Sequence, residues 1–325
     1  MKLRLTILAL CLFLASLTSA EERLRLATFN CEFLTRKKIH VKYSFPFELE
    51  KEADLQLWTP QYREERFAES VRATARVLEE IDADVLGLTE VGPVGDVEAL
   101  RSELKRLGLN YPYLLVCEKG ESYTAQHVAL LSRFPLTEPV LALGESEFYI
   151  PEPDDPETEK EATLPKALKA VVKSPLGSLH LYLVHLRSER GGHGSDMERI
   201  SQASIVRRHS LPLLQAGQHV VVMGDLNDKR GQPALLRVRG LDDIYPDLLQ
   251  TGHAGFFSRD KEDTRWTYKY KGEYQQIDHI LLSVSLRDRL GKRGIRPRTY
   301  PMRGNIGTTH YPASDHRPWV VDLVW

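Results

Sequence analysis

The sequence predicts a mixed α/β fold of two packed β-sheets flanked by helices, a four-layer sandwich. Three observations lead there. Strand–helix–strand units open the chain, strands without intervening helices fill its middle, and a further strand–helix–strand unit follows. A single doubly wound parallel sheet is the runner-up, but it leaves the middle run of strands without a place.

The elements follow in order. Residues 24–30 alternate and read as a strand. Arg36 to Thr59 is irregular. Pro60 then opens a helix, as proline at a first helical position does. Phe67, Val71, Leu78 and Ile81 line one face of it, and Asp82-Ala83-Asp84 closes it. Val85 to Glu90 is a short buried strand. Val97, Leu100, Leu104 and Leu107 mark a second helix that stops at Gly108. Tyr113 to Cys117 is a strand. His127–Ser132, Val140–Leu143, Leu168–Lys173 and Leu179–Leu186 are strands joined by turns. Glu152 to Glu161 is an acidic, proline-containing loop. Asp196 to about Leu214 is helical. His219 to Met223 is a strand running into Gly224-Asp225-Leu226-Asn227, and residues 277–282 and 319–324 are the last two strands. No repeat and no Gly/Ser-rich linker divides the chain, so one domain is expected over residues 21–325.

Residues 1–20 are read separately. Lys2 and Arg4 precede an uncharged apolar run from Leu5 to Leu17, and Thr18-Ser19-Ala20 offers small residues for cleavage. This is the pattern of a secretory signal peptide, too short for a spanning helix. A secreted or periplasmic protein without stable membrane insertion is expected, and a monomer. Beyond the leader only Cys31 and Cys117 remain. An oxidising compartment allows them to pair, and their apolar strand contexts equally suit buried free thiols. The spacing lacks any CxxC pair, so a cysteine metal site is not expected. With 42% hydrophobic and 27% charged residues, the composition excludes disorder and a disulfide-dense miniprotein. The net charge of −1 gives no global pull toward phosphate.

Polar residues recur where apolar strands end, which is where scaffolds present functional groups. Asn30 ends the first strand and Glu90 the second. His185 lies near the end of its strand. Asp225 and Asn227 follow Val220–Gly224. Asp278 interrupts an apolar run, and Asp315-His316 precede the last strand. Each alone could be an ordinary cap or turn residue. Together, Ala27-Thr-Phe-Asn30, Gly87-Leu-Thr-Glu90, Val184-His185-Leu, Gly224-Asp225-Leu-Asn227, Ile277-Asp278-His-Ile-Leu-Leu-Ser and Ser314-Asp315-His316 are an ordered set. That set resembles the endonuclease/exonuclease/phosphatase superfamily over nearly all of residues 21–325.

The resemblance implies phosphoester hydrolysis by in-line attack of water with a bound divalent cation: Mg²⁺, with Mn²⁺ or Ca²⁺ as alternatives. Glu90 and Asn30 belong at the metal by resemblance, with Asp315 and Glu32 as further candidate ligands; oxygen donors suit a hard cation. Asp225 would orient and deprotonate the attacking water, and Asn227 would hold that water or a phosphate oxygen. His185 and His316 would donate hydrogen bonds to the transition state, and Asp278 would pair with His316. The Asp278–His316 pair is an alternative general base. The remaining histidines read as structural or solvated, with His127 left open. The abasic-site endonucleases carry a tyrosine where this chain has Ala125, with Tyr123 two residues earlier.

For substrate, nucleic acid is the first expectation. Arg287, Arg289, Lys292, Arg293, Arg296, Arg298 and Arg303 form a basic stretch expected to emerge near the site, and Arg187, Arg190, Lys229 and Arg230 follow the candidate strands. A phosphatase or lipid-headgroup phosphodiesterase is the alternative. It is disfavoured by Ile277-Asp278-His279 where inositol phosphatases have Cys-Asp-Arg, and by the lack of an exposed aromatic hairpin in the sequence pattern. An inactive binding module is disfavoured because the residue set is complete.

Overall fold

The computed structural model describes residues 21–37, 59–119, 126–155, 157–240, 248–251, 265–300 and 313–325. The expected leader, most of the irregular stretch after Arg36, Tyr123, Ala125, His40, His253, His310 and Arg303 lie outside them.

Two six-stranded mixed sheets stack face to face. The first contains β1 (Arg23–Leu34), β2 (Val85–Val91), β3 (Tyr113–Cys117), β4 (His127–Ser132), β13 (Ile295–Thr299) and β14 (Trp319–Val324), in the order β13-β14-β1-β2-β4-β3. The second contains β5 (Leu136–Tyr149), β6 (Lys160–Ser174), β7 (Gly177–His185), β8 (Val220–Asp225), β9 (Leu248–Gln250) and β12 (Asp278–Ser283), in the order β5-β6-β7-β8-β12-β9. Helices α1 (Pro60–Ile81) and α2 (Val94–Arg106) cover the first sheet. Helices α3 (Gly192–Gln215) and α4 (Pro233–Arg239) cover the second, and the short α5 (Val284–Leu290) follows β12.

Period-2 alternation builds these layers. On β1, Leu24 and Leu26 face the second sheet, while Ala27, Phe29 and Cys31 face the helices. On β8, Val221 and Met223 point inward and Val220 and Val222 meet Ala203 and Val206 of α3. Each such leucine or valine contributes about 1.5–3 kcal/mol when fully buried. The sheets approach closely at Gly87, where an added Cβ would lie 2.5 Å from the Met223 Cε and 2.7 Å from a Leu183 methyl. The two cysteines sit on opposite faces of the first sheet, both as buried free thiols, so they are not bridged.

The helix ends match their sequence signals. Thr59 caps α1 by accepting the Tyr62 N–H at 3.1 Å. Asp82 ends it in the left-handed region at φ 50°, and Arg133 ties Asp82 and Asp84 together. Boundaries differ elsewhere. Strands β5 and β6 form a longer hairpin than the apolar cores at 140–143 and 168–173 indicate, because their outer parts mix exposed charged residues with isolated buried ones such as Ala162 and Leu164. Glu161 is therefore in β6 rather than in the acidic loop. Helix α3 starts at Gly192, ahead of Asp196. A separate two-stranded hairpin, β10 (Tyr268–Tyr270) and β11 (Glu273–Gln275), is not among the elements read from the sequence, and its exposed Tyr270 corrects the expectation that the chain lacks an exposed aromatic hairpin. Among the described residues, no helix is long and apolar enough to cross a membrane.

The parallel pairs β1/β2 and β7/β8 carry their C-terminal ends to one end of the sandwich. That common end holds the site.

Candidate active site

Strand register sets the centre of the site. His185 lies opposite Asp225 in the parallel β7/β8 pair, and Asp225 lies opposite Asp278 in the antiparallel β8/β12 pair. Three adjacent strands thus present one row of side chains. The first sheet meets this row through Asn30, whose Nδ2 donates to Asp225 Oδ2 at 2.9 Å and to Glu90 Oε1 at 3.2 Å. His316 arrives from the segment before β14. Its Nδ1 lies 2.7 Å from Asp278 Oδ2.

The local backbone is bent to aim these groups. Pairing shifts register after Asn30 on β1 and after Leu88 on β2, as bulges do beside active sites. Glu32 (φ 46°), Phe33 (55°), Glu90 (56°) and Asn227 (48°) all adopt the left-handed region, which non-glycine residues visit rarely. The bulge lets the Phe33 N–H donate to Glu90 Oε2 at 3.3 Å. The left-handed Asn227 lets its own N–H donate to Asp225 Oδ1 at 2.8 Å while its Nδ2 donates to the Leu186 carbonyl.

Burial and charge then divide the titrating groups. Burial and the Asp278 charge raise the Asp225 pKa. Burial and the Asp315 charge raise that of Glu90. Burial, with Lys166 and His316 nearby, holds the His185 pKa well below the usual value, so its ring is neutral. Burial opposes protonation of His316 as well, but the Asp278 carboxylate and the charges of Asp315 and Asp225 outweigh it. His316 is therefore an imidazolium paired to Asp278.

The donor set fits a hard divalent cation on the Glu90 side. Glu90 and Asp315 are mutually repelling oxygen donors in a largely dehydrated place, with Glu32 on the same cleft wall. Asn30 presents its nitrogen to the carboxylates, while its Oδ1 accepts the Glu32 N–H at 2.9 Å. A half-turn of that amide exchanges the two. The tightest grouping of ligand atoms among the described residues is instead Asp225, Asp278 and His316, within 4.8 Å of one another. A protonated His316 already bound to Asp278 offers no lone pair to a metal, so the Glu90–Asp315 side is the better cation position.

Glu32, Glu90, His185, Asp225, Asn227, Asp315 and His316 line a cleft of about 890 Å³, with Asn30 and Asp278 buried just behind them. Its basic lining is Lys166, Arg187, Arg190, Lys269 and Lys271. Only the two arginines were among the sequence candidates. The described arginines of the expected basic stretch do not line the cleft. Arg296 pairs with Glu21 ahead of β1, Arg298 with Asp322 late in β14, and Arg289 donates to the Leu176 carbonyl in the β6–β7 turn. Arg296 is level with Arg25 at the end of the sheet away from Asn30, and Arg298, level with Ala27, turns its side chain back to Asp322 on the edge strand pair rather than to the cleft. Lys229 is engaged by Glu189 at 3.7 Å. His127 is buried opposite Val91 and does not line the cleft.

A model of the Endonuclease/Exonuclease/phosphatase family matches residues 27–316. The chain belongs to that family. Its members are generally metal-dependent phosphoric ester hydrolases, and this chain is a hydrolase of that family. No curated protein matches it. Solved structures share the fold. Truncated TDP2 from Caenorhabditis elegans superposes with TM-score 0.56 at 14% identity, covering 93% of this chain and 98% of that one. Beta toxin from Staphylococcus aureus gives TM-score 0.58 at 16% identity, covering 92% and 99%. A family protein from Bacteroides thetaiotaomicron gives 0.54 at 16%, covering 94% and 98%.

Behind this family site, His279 is a structural histidine. It is fully buried, its Nε2 lies 2.8 Å from the Asp228 carbonyl oxygen and its Nδ1 lies 3.2 Å from Gln250. Burial lowers its pKa from 6.5 to about 4. Between those values the unfolded chain binds a proton that the folded chain refuses, so stability is lost as pH falls through that window. His279→Gln is expected to flatten this slope by about 2–3 kcal/mol between pH 7 and 4.5. Urea unfolding of both proteins at the two pH values checks it.

Proposed function

We propose that this chain is a metal-dependent phosphodiesterase that hydrolyses nucleic-acid phosphodiester bonds by in-line attack of water. The observation that carries the reading is the row His185–Asp225–Asp278 with His316 paired to Asp278, next to Glu90 and Asp315 at a cleft with basic walls.

Asp225 is the general base. Its pKa, raised toward neutrality, makes it a better proton acceptor than an exposed aspartate, and Asn30 and the Asn227 N–H fix its two oxygens. Its proton comes from a water poised between it and the phosphorus. His316, charged and held through Nδ1 by Asp278, donates from its Nε2, which stands 3.9 Å from Asp315 Oδ1, to a non-bridging oxygen as negative charge builds there. His185 adds a neutral hydrogen bond; its Nε2 stands 3.8 Å from Glu90 Oε1 and 3.9 Å from Asp225 Oδ2, which places it at the same end of the cleft as both carboxylates. Glu90 and Asp315, with Asn30 and Glu32 beside them, hold a divalent cation, Mg²⁺ in our reading, which would neutralise phosphate charge and the leaving oxygen. Lys166, Arg187 and Arg190 draw the polyanion into the cleft.

The purified chain is tested on supercoiled plasmid, linear DNA, RNA, bis-p-nitrophenyl phosphate, sphingomyelin and inositol phosphates. Cleavage of nucleic acid with Mg²⁺ or Mn²⁺, abolished by a chelator and restored by adding the ion back, is the expected result. Turnover confined to the lipid or inositol substrates refutes the nucleic-acid assignment.

A further inference from the structure

The β10–β11 hairpin stands over the site and carries Tyr268-Lys269-Tyr270-Lys271-Gly272-Glu273-Tyr274. Its turn has only two central residues, Lys271 (φ 47°) and Gly272 (φ 87°). Both are left-handed, the geometry of a tight hairpin that matches strand twist. Tyr268 and Tyr270 are two residues apart and so project from the same face. Their rings stack at 6.3 Å with 12° between planes. Tyr268 in turn stacks on His316 at 4.6 Å. A ladder of three rings therefore runs outward from the imidazolium at the reaction centre.

The inner part of the ladder is fixed. Tyr268 pairs through its backbone with His316, and its hydroxyl accepts from Arg190 Nη2 at 2.8 Å. The outer part is open: Tyr270 is 39% exposed and lines the cleft. Cations border it, with the Arg190 guanidinium 5.8 Å and the Lys271 ammonium 5.2 Å from its ring centre.

We infer that this hairpin is a stacking platform that takes one unpaired nucleobase on Tyr270 while Arg190 and Lys271 follow the adjoining phosphates. Alternating aromatic and basic side chains in a groove are how single strands are held without sequence readout. The chemistry selects an unpaired base, because in a duplex both faces of each base are already covered by neighbours. A platform locked in place before binding loses little entropy on engagement. The proposal rests on the nucleic-acid reading above and narrows it to single strands or frayed ends.

The test uses the full chain, with Tyr270→Ala and Tyr270→Trp. Binding of a fluorescein-labelled 12-nucleotide DNA strand is measured by anisotropy with chelator present, so that no cleavage occurs. The same sequence as a duplex and as a strand of base-less sugar phosphates are the comparisons. The parent is expected to bind the base-bearing strand about 5- to 100-fold more tightly than the base-less one. Tyr270→Ala is expected to erase that ratio and Tyr270→Trp to restore it. In turnover, the alanine variant is expected to lose at least about 5-fold more on the oligonucleotide than on bis-p-nitrophenyl phosphate, mostly in KM. Equal binding of base-bearing and base-less strands, an unchanged ratio in Tyr270→Ala, preference for the duplex, or equal losses on both substrates would each overturn the platform. Tyr270-dependent binding to zwitterionic lipid vesicles instead of DNA would overturn it too. Failure of the parent to cleave any nucleic acid would count against the proposed reaction, and the binding ratios would still decide the platform.

Discussion

Asp225→Asn is expected to lower kcat on bis-p-nitrophenyl phosphate by about 10²- to 10⁴-fold, with an unchanged melting profile. The substitution preserves shape. An asparagine oxygen can still accept the Asn227 N–H or the Asn30 amide, so the tether between the sheets is weakened rather than cut. What disappears is the proton acceptor. Because burial and the neighbouring Asp278 raise the Asp225 pKa, its ionised form is costly to the fold, and removing the charge does not destabilise it. Asp278→Asn is the informative companion. It deprives His316 of the carboxylate that keeps it protonated and leaves Asp225 in place. If Asp225 is the base, Asp225→Asn is the more damaging of the two. Rates that fall further in Asp278→Asn, with near-full activity in Asp225→Asn, would transfer the role to the Asp278–His316 pair. Circular dichroism melts and kcat at saturating substrate, measured side by side, separate the outcomes.

The residues of the site were legible before the fold because each is a polar side chain ending an apolar run. Residues 220–224 before Asp225 and 277–282 around Asp278 must be buried strands, and a carboxylate there has to serve some purpose beyond solvation. The two-sheet architecture was legible in the middle run of strands without intervening helices, and β1 bears it out, with Leu24 and Leu26 facing one layer and Ala27 and Phe29 the other. Other features were not legible. The Tyr268–Gln275 hairpin is too short and too polar to give a strand signal, although Lys271-Gly272 between aromatic residues was the available cue. Lys166 interrupts β6 among residues whose alternation is broken by Pro165, so nothing local marks it as facing the cleft. The arginines at 287–298 misled for a different reason. Lying between Asp278 and His316 in sequence does not place them at the cleft, because β12 carries the chain to the far end of the sandwich, α5 lies there, and β13 returns along the outer edge of the other sheet. Pro297 in β13 is tolerated because that strand is the sheet edge.

Gly224→Ala is expected to destabilise the chain by about 3–5 kcal/mol, from a backbone conformation closed to other residues and from an unavoidable overlap. Gly224 sits at φ 135°, a region that side chains rarely enter. A Cβ there would overlap the Val184 carbonyl oxygen and lie 2.9 Å from its carbon. These are backbone atoms of the paired strand, so no rotamer change relieves the clash. Strands β7 and β8 would have to separate, and they separate where His185 stands opposite Asp225. The loss of stability should thus be accompanied by loss of activity at temperatures where the variant is still folded. Gly217 provides the control. It also has positive φ, at 68°, but an added Cβ there meets nothing within 4 Å. Gly217→Ala therefore carries only the conformational cost, about 1–2 kcal/mol, and should leave kcat unchanged. Urea midpoints and kcat for the two variants distinguish a local clash between β7 and β8 from a general intolerance of alanine at left-handed glycines. Equal destabilisation in both would show that the close approach at Gly224 is not what fixes the spacing of the two strands.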